Sequence, residues 1–410
     1  MGSGDQTIIR NGEMMRSLVF LSAAAATVMA AGYKIPESSI NATALSAAYV
    51  ANAHGADAAY YNPAAMVYND DAGLLEVDTT YIGLSKIHYA STSGAYNIDS
   101  QSESFLVPTL HYSSKKLGEN GARAGLSIVA PAGLSKRWDA QPAKSSAEEF
   151  TLKTIEVNPS IAIPLSDTLS MAAGFRIVRT DGVVKSSSPT PAARDMTGDS
   201  IDYGYNLALN YRPIHNLSLA ATYRSKIDLN VEGSADLRYG ASTYSGAASV
   251  TVPLPAAFNF AAAYTFDTGT TVEAVWERTY WSAYKNLDLN YDGTVNTATT
   301  VFGTPIPKNW KNTNTCRLGV TQKVDNWTAM AGIAYDKSPV PEANLGYELP
   351  DADAVIYSLG ARYQIDKQWN VGLAGLVDMK KDRTVHNSSI NGQFSDSRAY
   401  LVTAGIEYRF

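Results

Sequence analysis

The stretch Leu-Ser-Leu-Ala-Ala-Thr-Tyr-Arg-Ser-Lys-Ile-Asp-Leu-Asn-Val, from Leu217 to Val231, decides the fold of this chain. Its alternate residues form an almost wholly apolar set: Leu217, Leu219, Ala221, Tyr223, Ser225, Ile227, Leu229 and Val231. Because strand side chains alternate between two faces, the pattern predicts one continuous strand with an apolar face and a wet face. Soluble sandwich strands alternate too, but they usually run about 5–6 residues. A tilted strand that crosses a bilayer needs about 9–11 residues, which this stretch has.

The end of the chain repeats the pattern. From Tyr400 to Phe410 the apolar positions are Tyr400, Val402, Ala404, Ile406, Tyr408 and Phe410. This ending resembles the closing strand of bacterial outer-membrane barrels, in which a terminal Phe is an assembly signal. The outer-membrane assembly machinery and outer-membrane lipid are therefore expected partners. The alternative is a soluble antiparallel sheet that ends on Phe by coincidence.

The bulk composition narrows the classes of protein that are possible. After the N-terminus no run approaches the roughly 18 apolar residues of a membrane helix, so a helical membrane protein is excluded. The 25 Tyr residues indicate contact with a membrane, because side chains with one apolar and one polar end collect at membrane–water interfaces. The net charge of −6 and the lack of a basic face argue against a nucleic-acid partner. The single Cys316 has no disulfide or metal-ligand company and is interpreted as a small strand residue.

The N-terminus predicts export followed by an internal plug. Arg16 precedes the apolar run 18–30, and Val28 and Ala30 suit a signal-peptidase site, so residues 1–30 are a signal peptide with an upstream extension. Residues 31–73 are rich in small residues and have too few large apolar ones to form their own core. This segment, the hatch, must therefore pack inside something else. Pro63 is expected near the first position of a short helix.

From Leu74 to Phe410 about fourteen alternating segments follow, joined by turns that are alternately tight and long. This arrangement is typical of a membrane barrel with an even number of strands. The sequence therefore predicts an all-β fold: a transmembrane antiparallel barrel of about 14 strands over 74–410, with the partly helical hatch in its lumen.

Short motifs in order along the chain resemble the FadL/TodX family of outer-membrane transporters for hydrophobic compounds. They are 31–33 (Ala-Gly-Tyr), 62–66 (Asn-Pro-Ala-Ala-Met), 130–134 (Ala-Pro-Ala-Gly-Leu), 223–226 (Tyr-Arg-Ser-Lys), 334–341 (Ala-Tyr-Asp-Lys-Ser-Pro-Val-Pro) and 349–351 (Leu-Pro-Asp). The resemblance implies passive uptake of long-chain fatty acids or aromatic hydrocarbons by a monomer. The ligand would bind in the lumen, the N-terminus would shift, and the ligand would leave sideways at a kinked third strand.

The third strand holds the residues that such a kink needs. Gly121, Gly125, Pro131 and Gly133 punctuate it, and Gly or Pro inside a strand marks a bulge or bend. The alternative is that these residues simply end the strand.

A fatty-acid carboxylate in the lumen requires a cation or backbone donors, because an unpaired buried charge is costly. The candidates at positions interpreted as lumen-facing are Arg176, Lys185, Arg224, Lys226 and Lys311. The family resemblance places one such cation near the strand that holds Arg176 and Lys185, and another near Lys311. The alternative is that these charges pair with Asp or Glu across the lumen. The resemblance also implies that Tyr33 touches the ligand.

Within the hatch, Asp57, Asn62, Pro63 and Ala64 are the gating candidates, together with Gly125 and Pro131 on the third strand. Asp57 and Asn62 either tie the hatch to the wall or serve as helix caps. Asp351 and Asp353 either cap a loop or bind a hatch group.

No cofactor, metal or catalytic arrangement is expected from the sequence. The five histidines share no metal spacing, and no nucleophile elbow or phosphate loop is present. A lipase would need a Ser beside a His such as His111. Two rival functions stay open at this point: a hydrophilic diffusion porin, and a surface adhesin or structural barrel.

Overall fold

The computed structural model describes residues 32–293 and 295–410. The predicted signal peptide and Ala31 lie outside the described residues. Within these, fourteen antiparallel strands close into a barrel, because strand 1 (Leu74–Leu84) pairs with both the second and the last strand. The predicted fold class is therefore confirmed. None of the described helices combines the length and apolarity needed to cross a membrane.

The barrel strands follow one another in chain order. After strand 1 they are strand 2 (Glu103–Ser113), strand 3 (Arg123–Val129 and Gly133–Arg137), strand 4 (Glu149–Pro164), strand 5 (Leu169–Ser188), strand 6 (Ala192–Ile214), strand 7 (Leu217–Arg224 and Ile227–Tyr239), strand 8 (Ser242–Leu254 and Ala257–Thr265), strand 9 (Thr270–Thr279, then Leu289–Tyr291), strand 10 (Thr313–Val324), strand 11 (Trp327–Asp336), strand 12 (Ala354–Gln364), strand 13 (Trp369–Lys380) and strand 14 (Arg398–Arg409). Tight turns such as Asp325–Asn326 lie at one end of the barrel, the turn end, and long loops lie at the other, the loop end.

The loops carry small elements of their own. A four-stranded sheet joins His88–Ser91, Asn97–Asp99, Arg383–His386 and Asn391–Ser395, and a two-stranded sheet joins Asn286–Leu287 to Ile306–Pro307. The loop helices are Lys144–Ala147 and Thr297–Phe302, with 3₁₀ turns at Trp281–Ala283 and Glu342–Asn344.

The outer face of the barrel is apolar and aromatic, as a lipid-facing surface requires. Large side chains that a soluble protein would bury lie exposed on alternate strand positions: Leu106, Ile161, Phe175, Tyr203, Tyr205, Leu207, Leu359 and Leu373. The matching inward positions hold small or polar side chains such as Ser127, Asn158 and Asn210.

Residues 32–73 fill the lumen with helices Ile40–Ala44 and Ala58–Tyr61 and the 3₁₀ helix Pro63–Tyr68. Nearly every residue from Tyr33 to Met66 is buried or half-buried. The carboxylate of Glu273 on strand 9 accepts the N–H groups of Val50 (2.7 Å) and Ala51 (2.6 Å). Small residues let the hatch approach the wall: a Cβ on Gly332 would lie 2.2 Å from the backbone of Leu45.

The prediction of one continuous strand from Leu217 to Val231 is wrong. The odd-numbered side chains face outward as far as Tyr223, but Ile227, Leu229 and Val231 are buried inside the barrel. Relative to strand 6, the pairing register shifts by one residue between Arg224↔Asn206 and Glu232↔Asp199. An extra residue at Ser225–Lys226 forms a bulge, and a one-residue bulge exchanges the two faces of a strand.

Candidate functional site

The N-terminal segment enters the site along an interrupted strand. Strand 3 stops at Val129 and resumes at Gly133, and the segment pairs with the piece between. The N–H of Ile35 donates to the Pro131 carbonyl (3.0 Å), and the N–H of Gly133 donates to the Tyr33 carbonyl (2.9 Å). The N–H of Gly32 donates to Asp351 Oδ2 (3.2 Å). The segment therefore fills the interruption in strand 3 as a short additional strand.

Tyr33 lies at the centre of an aromatic cluster. Its ring centroid is 4.8 Å from that of Trp281, 5.5 Å from Trp310 and 6.2 Å from Tyr284. Its hydroxyl donates to the Pro253 carbonyl at 2.5 Å. Gly32 makes this placement possible, because a Cβ there would lie 2.5 Å from the Trp281 ring and its φ is +74°.

Beyond Tyr33, towards the loop end, lies a cavity that we call the outer chamber. Its lining is mostly aliphatic and aromatic and includes Leu152, Val231, Val250, Val252, Leu287 and Leu349. The face exchange at Ser225–Lys226 supplies Val231, since an uninterrupted strand would have turned this side chain towards lipid.

Among the described residues that line the outer chamber, the charged side chains are Lys308 and Glu348, and they form an ion pair. Burial alone would raise the pKa of the Glu348 carboxyl, but Lys308 holds this pKa below its usual value. Both side chains also line a wider vestibule between the loops. The pair therefore lies where the vestibule meets the outer chamber, and its two charges compensate each other.

Arg194 lines the same vestibule and was not predicted from the sequence. It is 8% exposed, and its guanidinium lies 5.6 Å from the Phe302 ring. Across the described part of the chain, no carboxylate forms an ion pair with it, and its Nε has no hydrogen-bond partner. Arg194 and Lys308 with the single Glu348 give this boundary one positive charge in excess.

On the other side of the N-terminal segment lies a second cavity, the inner chamber. Its lining includes residues of the hatch, such as Tyr60 and Tyr61, and residues of strands 6, 7 and 8. Lys34, which also lines it, pairs with Glu277 at 2.7 Å. The inner chamber is therefore more polar than the outer one.

Arg176 and Arg224 both face inward, as predicted, and both bind Glu156. Arg176 reaches Glu156 Oε2 through Nε (3.1 Å) and Nη2 (2.9 Å), and Arg224 pairs with the other oxygen. Arg224 also lies 4.3 Å from the Tyr60 ring centroid. Both residues therefore follow the alternative stated from the sequence, in which inward cations pair with a carboxylate of the wall. The carboxylate that they share is Glu156.

The expected lumenal positions of Lys185, Lys226 and Lys311 are wrong. Lys185 is nine residues from the inward Arg176 on one strand, so period-two alternation turns it outward, where it pairs with Asp195 (2.9 Å). Lys226 follows the bulge and lies outside, paired with Asp228 (2.7 Å). Lys311 is exposed in a loop. The lysine of that loop which reaches the chamber is Lys308, and only the loop fold distinguishes the two.

The gating candidates Asp57 and Asn62 form hydrogen bonds to other parts of the hatch or to the wall and do not cap helices. Asn62 donates to the Val50 carbonyl (2.8 Å) and to Asn210 on strand 6 (3.0 Å), which ties the hatch to the wall. Asp57 accepts from Asn41 and Tyr49, both at 3.0 Å, and so acts within the hatch. Neither side chain caps its helix.

The other gating candidates lie where hatch and wall meet. Pro63 begins the 3₁₀ helix, and the Ala64 carbonyl accepts from Ser170 (2.8 Å). Gly125 lies inside a regular part of strand 3, where a Cβ would come within 2.8 Å of Ala59. Pro131 lies in the interruption itself. Gly125 is thus a site of close approach, and the break in strand 3 is at 130–132.

Asp351 and Asp353 have different partners. Besides Gly32, Asp351 binds Lys380 at 2.5 Å, so it anchors the N-terminal segment to strand 13. Asp353 accepts from the N–H of Ser338 (3.0 Å) and from the Tyr335 hydroxyl (2.8 Å), both near the start of a loop.

The Ser–His pair at His111 is not arranged for hydrolysis. His111 Nδ1 lies 3.0 Å from Ser127 Oγ, but both residues are fully buried and His111 Nε2 faces the Ser38 carbonyl (2.8 Å). In the same residues no group of three His, Cys, Asp or Glu side chains is placed to hold a metal ion.

Comparison with known proteins identifies the family of this chain. The family model described as "Outer membrane protein transport protein (OMPP1/FadL/TodX)" matches residues 21–410. A long-chain fatty acid transport protein of Escherichia coli O157:H7 is 26% identical over 353 residues, which cover 74% of this chain and 77% of the relative.

Solved structures share the fold. A FadL homologue of Pseudomonas aeruginosa superimposes with a TM-score of 0.79 at 21% identity and covers 92% of this chain and 99% of its own. The toluene transporter TbuX of Ralstonia pickettii superimposes with a TM-score of 0.70 at 15% identity, covering 91% and 98%. At these identities the likeness establishes the architecture alone.

Proposed function

The chain belongs to the OMPP1/FadL/TodX family of outer membrane transport proteins, and from this premise we propose that it takes up hydrophobic molecules passively across the outer membrane. Long-chain fatty acids are the first candidate substrates, because the fatty acid transporter of E. coli O157:H7 is a relative. Aromatic hydrocarbons are the second, because a toluene transporter has the same fold.

The observation that carries this proposal is the outer chamber. It is an apolar cavity inside a polar lumen, and the aromatic ring of Tyr33 forms one of its walls. Burying each CH₂ group of a ligand there is worth roughly 0.8 kcal/mol. A pore for hydrophilic solutes would gain nothing from such a lining.

The route we propose runs from the vestibule past Lys308 and Glu348 into the outer chamber. Withdrawal of the segment that holds Tyr33 and Ile35 then frees the interruption in strand 3, and the ligand leaves sideways into lipid. Two backbone hydrogen bonds, each worth about 0.5–1.5 kcal/mol, close this interruption, and withdrawal must also break the Lys34–Glu277 ion pair and the ring contacts of Tyr33. Transport runs down the concentration gradient of the ligand. The final step is also favourable, because an apolar ligand gains free energy by entering lipid.

For a fatty acid, we place the carboxylate at Lys308 and Arg194 and the chain in the outer chamber. The excess positive charge at this boundary is on the side from which the ligand arrives. Tyr33 contacts the far end of the ligand.

The test is uptake by cells that lack their own transporter, with and without this protein. Labelled oleate and labelled toluene serve as the two probes. We expect faster uptake of at least one of them when the protein is present. Equal uptake of both in the two strains would defeat the proposal and favour a surface adhesin or structural barrel.

A further inference from the structure

The wall of the barrel is interrupted a second time, between strands 7 and 8. Their pairing ends at Arg224↔Ala257 and resumes at Ile227↔Leu254 in the same register. Two residues on each side, Ser225–Lys226 and Pro255–Ala256, are left unpaired. We call this unpaired stretch the seam.

The side chains of strand 8 exchange faces at the seam, as those of strand 7 do. Val252 and Leu254 are buried at even positions before it, whereas Ala257, Ala261 and Ala263 are buried at odd positions after it. Gly204 on strand 6 leaves room for the bulge, since a Cβ there would lie 2.6 Å from Ile227.

Three of the backbone groups at the seam bind partners outside the pairing of strands 7 and 8. The N–H of Ser225 donates to the Tyr205 carbonyl (2.9 Å), and the Ser225 carbonyl accepts from Arg176 Nη1 (2.7 Å). The Ala256 carbonyl accepts from the N–H of Tyr280 (2.9 Å), and Pro255 has no N–H. Separating strands 7 and 8 here would leave the hydrogen bonds of Ser225 and of the Ala256 carbonyl in place, which lowers the usual cost of parting a sheet.

The inner chamber lies directly behind the seam. Residues on both edges line it, including Tyr223, Arg224, Leu254 and Pro255. Its lining also includes Leu207, a side chain that faces outward and is 47% exposed. A cavity lined by both lumenal and lipid-facing residues extends into the thickness of the wall.

The outward surface at the seam suits an apolar molecule. Below it, on strands 6 and 7, lie Tyr205, Leu207 and Tyr223, with the rings of the two tyrosines 6.1 Å apart. Beyond it lie the outward charges Lys226 and Asp228. The seam therefore lies at the outer edge of the apolar band, where the tyrosines form an interfacial belt.

We propose that the seam is a second lateral portal, which connects the inner chamber to the membrane for hydrophobic molecules. It differs from the interruption in strand 3, which the N-terminal segment closes by hydrogen bonds to Pro131 and Gly133. No hatch hydrogen bond in the described residues is made to the backbone of the seam. This inference rests on the proposed uptake function.

The test uses disulfide staples in the full-length protein with Cys316→Ser. Ile227→Cys with Leu254→Cys joins register partners on one side of the seam, and Thr222→Cys with Asn259→Cys joins partners on the other. Leu219→Cys with Ala262→Cys is the matched control, a partner pair of the same two strands further towards the turn end. Uptake of labelled oleate and toluene is compared before and after reduction.

We expect oxidation of either seam staple to slow uptake by about two-fold or more, because a parallel route is closed, and reduction to restore it. The control should be unchanged by oxidation. Each protein is its own folding reference, and the second staple replaces the first if that one does not assemble. Uptake that is equal in oxidised and reduced seam proteins would overturn the portal, whereas absence of uptake by the Cys316→Ser parent would instead overturn the proposed function.

Discussion

At the residue scale, the charge at the boundary of the outer chamber is set by one ion pair. Lys308 and Glu348 bind each other at its boundary, and Arg194 nearby interacts with Glu348 through its charge but forms no direct ion pair in the described residues. Glu348 therefore competes with any ligand carboxylate for the same cation. Under the proposed function, we therefore expect Glu348 to set the balance between acidic and neutral substrates.

Glu348→Gln should tighten binding of oleate about ten-fold, because a charge-assisted hydrogen bond to Lys308 is worth about 1.5–3 kcal/mol. Oleyl alcohol is the matched neutral ligand, and its affinity should stay unchanged. Displacement of a fluorescent fatty-acid probe from purified protein measures both affinities. Lys308→Met in the same assay should weaken oleate binding. A Glu348→Gln protein that binds both ligands as before would contradict the role assigned to Glu348.

Most cations proposed from the sequence have structural partners instead. Arg176 and Arg224 share Glu156, and Lys185 and Lys226 pair with aspartates on the outer face. The inward position of Arg176 follows from alternation alone, and counting onward along strand 5 would already have placed Lys185 outside. Lys308 and Arg194 carry no comparable signal, since their positions depend on loops and on the length of strand 6 beyond the membrane.

At the scale of elements, strand 3 combines two different tasks. Its first half, Arg123–Val129, is regular and packs against the hatch at Gly125, whereas the stretch 130–132 pairs with the N-terminal segment. The cluster of Gly and Pro residues predicted a bend, and the strand is interrupted at Pro131. The cluster did not tell which of these residues bends the strand and which admits a neighbour.

Gly125→Ala should loosen the hatch, since its Cβ would lie 2.6 Å from Ser160 Oγ and 2.8 Å from Ala59. Overpacking of this kind costs about 1–3 kcal/mol. Gly375→Ala on strand 13 is the matched control, because the nearest atom to its Cβ is 3.9 Å away. Thermal unfolding in detergent should show a lower Tm for the first variant only, and equal Tm values would contradict the close approach at Gly125.

At the scale of the whole molecule, the barrel and the hatch form one packed body. The wall binds the hatch through strands as far apart as strand 6 (Asn210), strand 9 (Glu273) and strand 14 (Thr403, 2.8 Å from Thr43). Hydrophobic ligands therefore meet a closed lumen, and their path must pass beside the hatch or through the wall.

Deletion of residues 31–73 behind an intact signal peptide should raise ion conductance in planar bilayers, because the plug would be gone. The full-length protein is the reference and should conduct little. No difference between the two would favour a hydrophilic porin with an open lumen. Binding of the deletion protein to lipid bilayers should be unchanged, since the outward apolar face belongs to 74–410.

The sequence by itself determined the class of fold, the plugged lumen and the lipid-facing surface, because alternation between oil and water acts residue by residue along each strand. The count of fourteen strands and the start of the first one at Leu74 follow from the same rule. Only the tertiary structure decided where that rule breaks. At Ser225–Lys226 the residue types suit a continuous strand, yet contacts with Tyr205 and Arg176 hold a bulge that exchanges the faces. In strand 8, Pro255 is a local sign of a break, but the sequence does not show that it faces the bulge of strand 7. Three features depend on such long-range contacts: the two chambers, the ion pair between the vestibule and the outer chamber, and the seam. A local pattern does not encode these contacts.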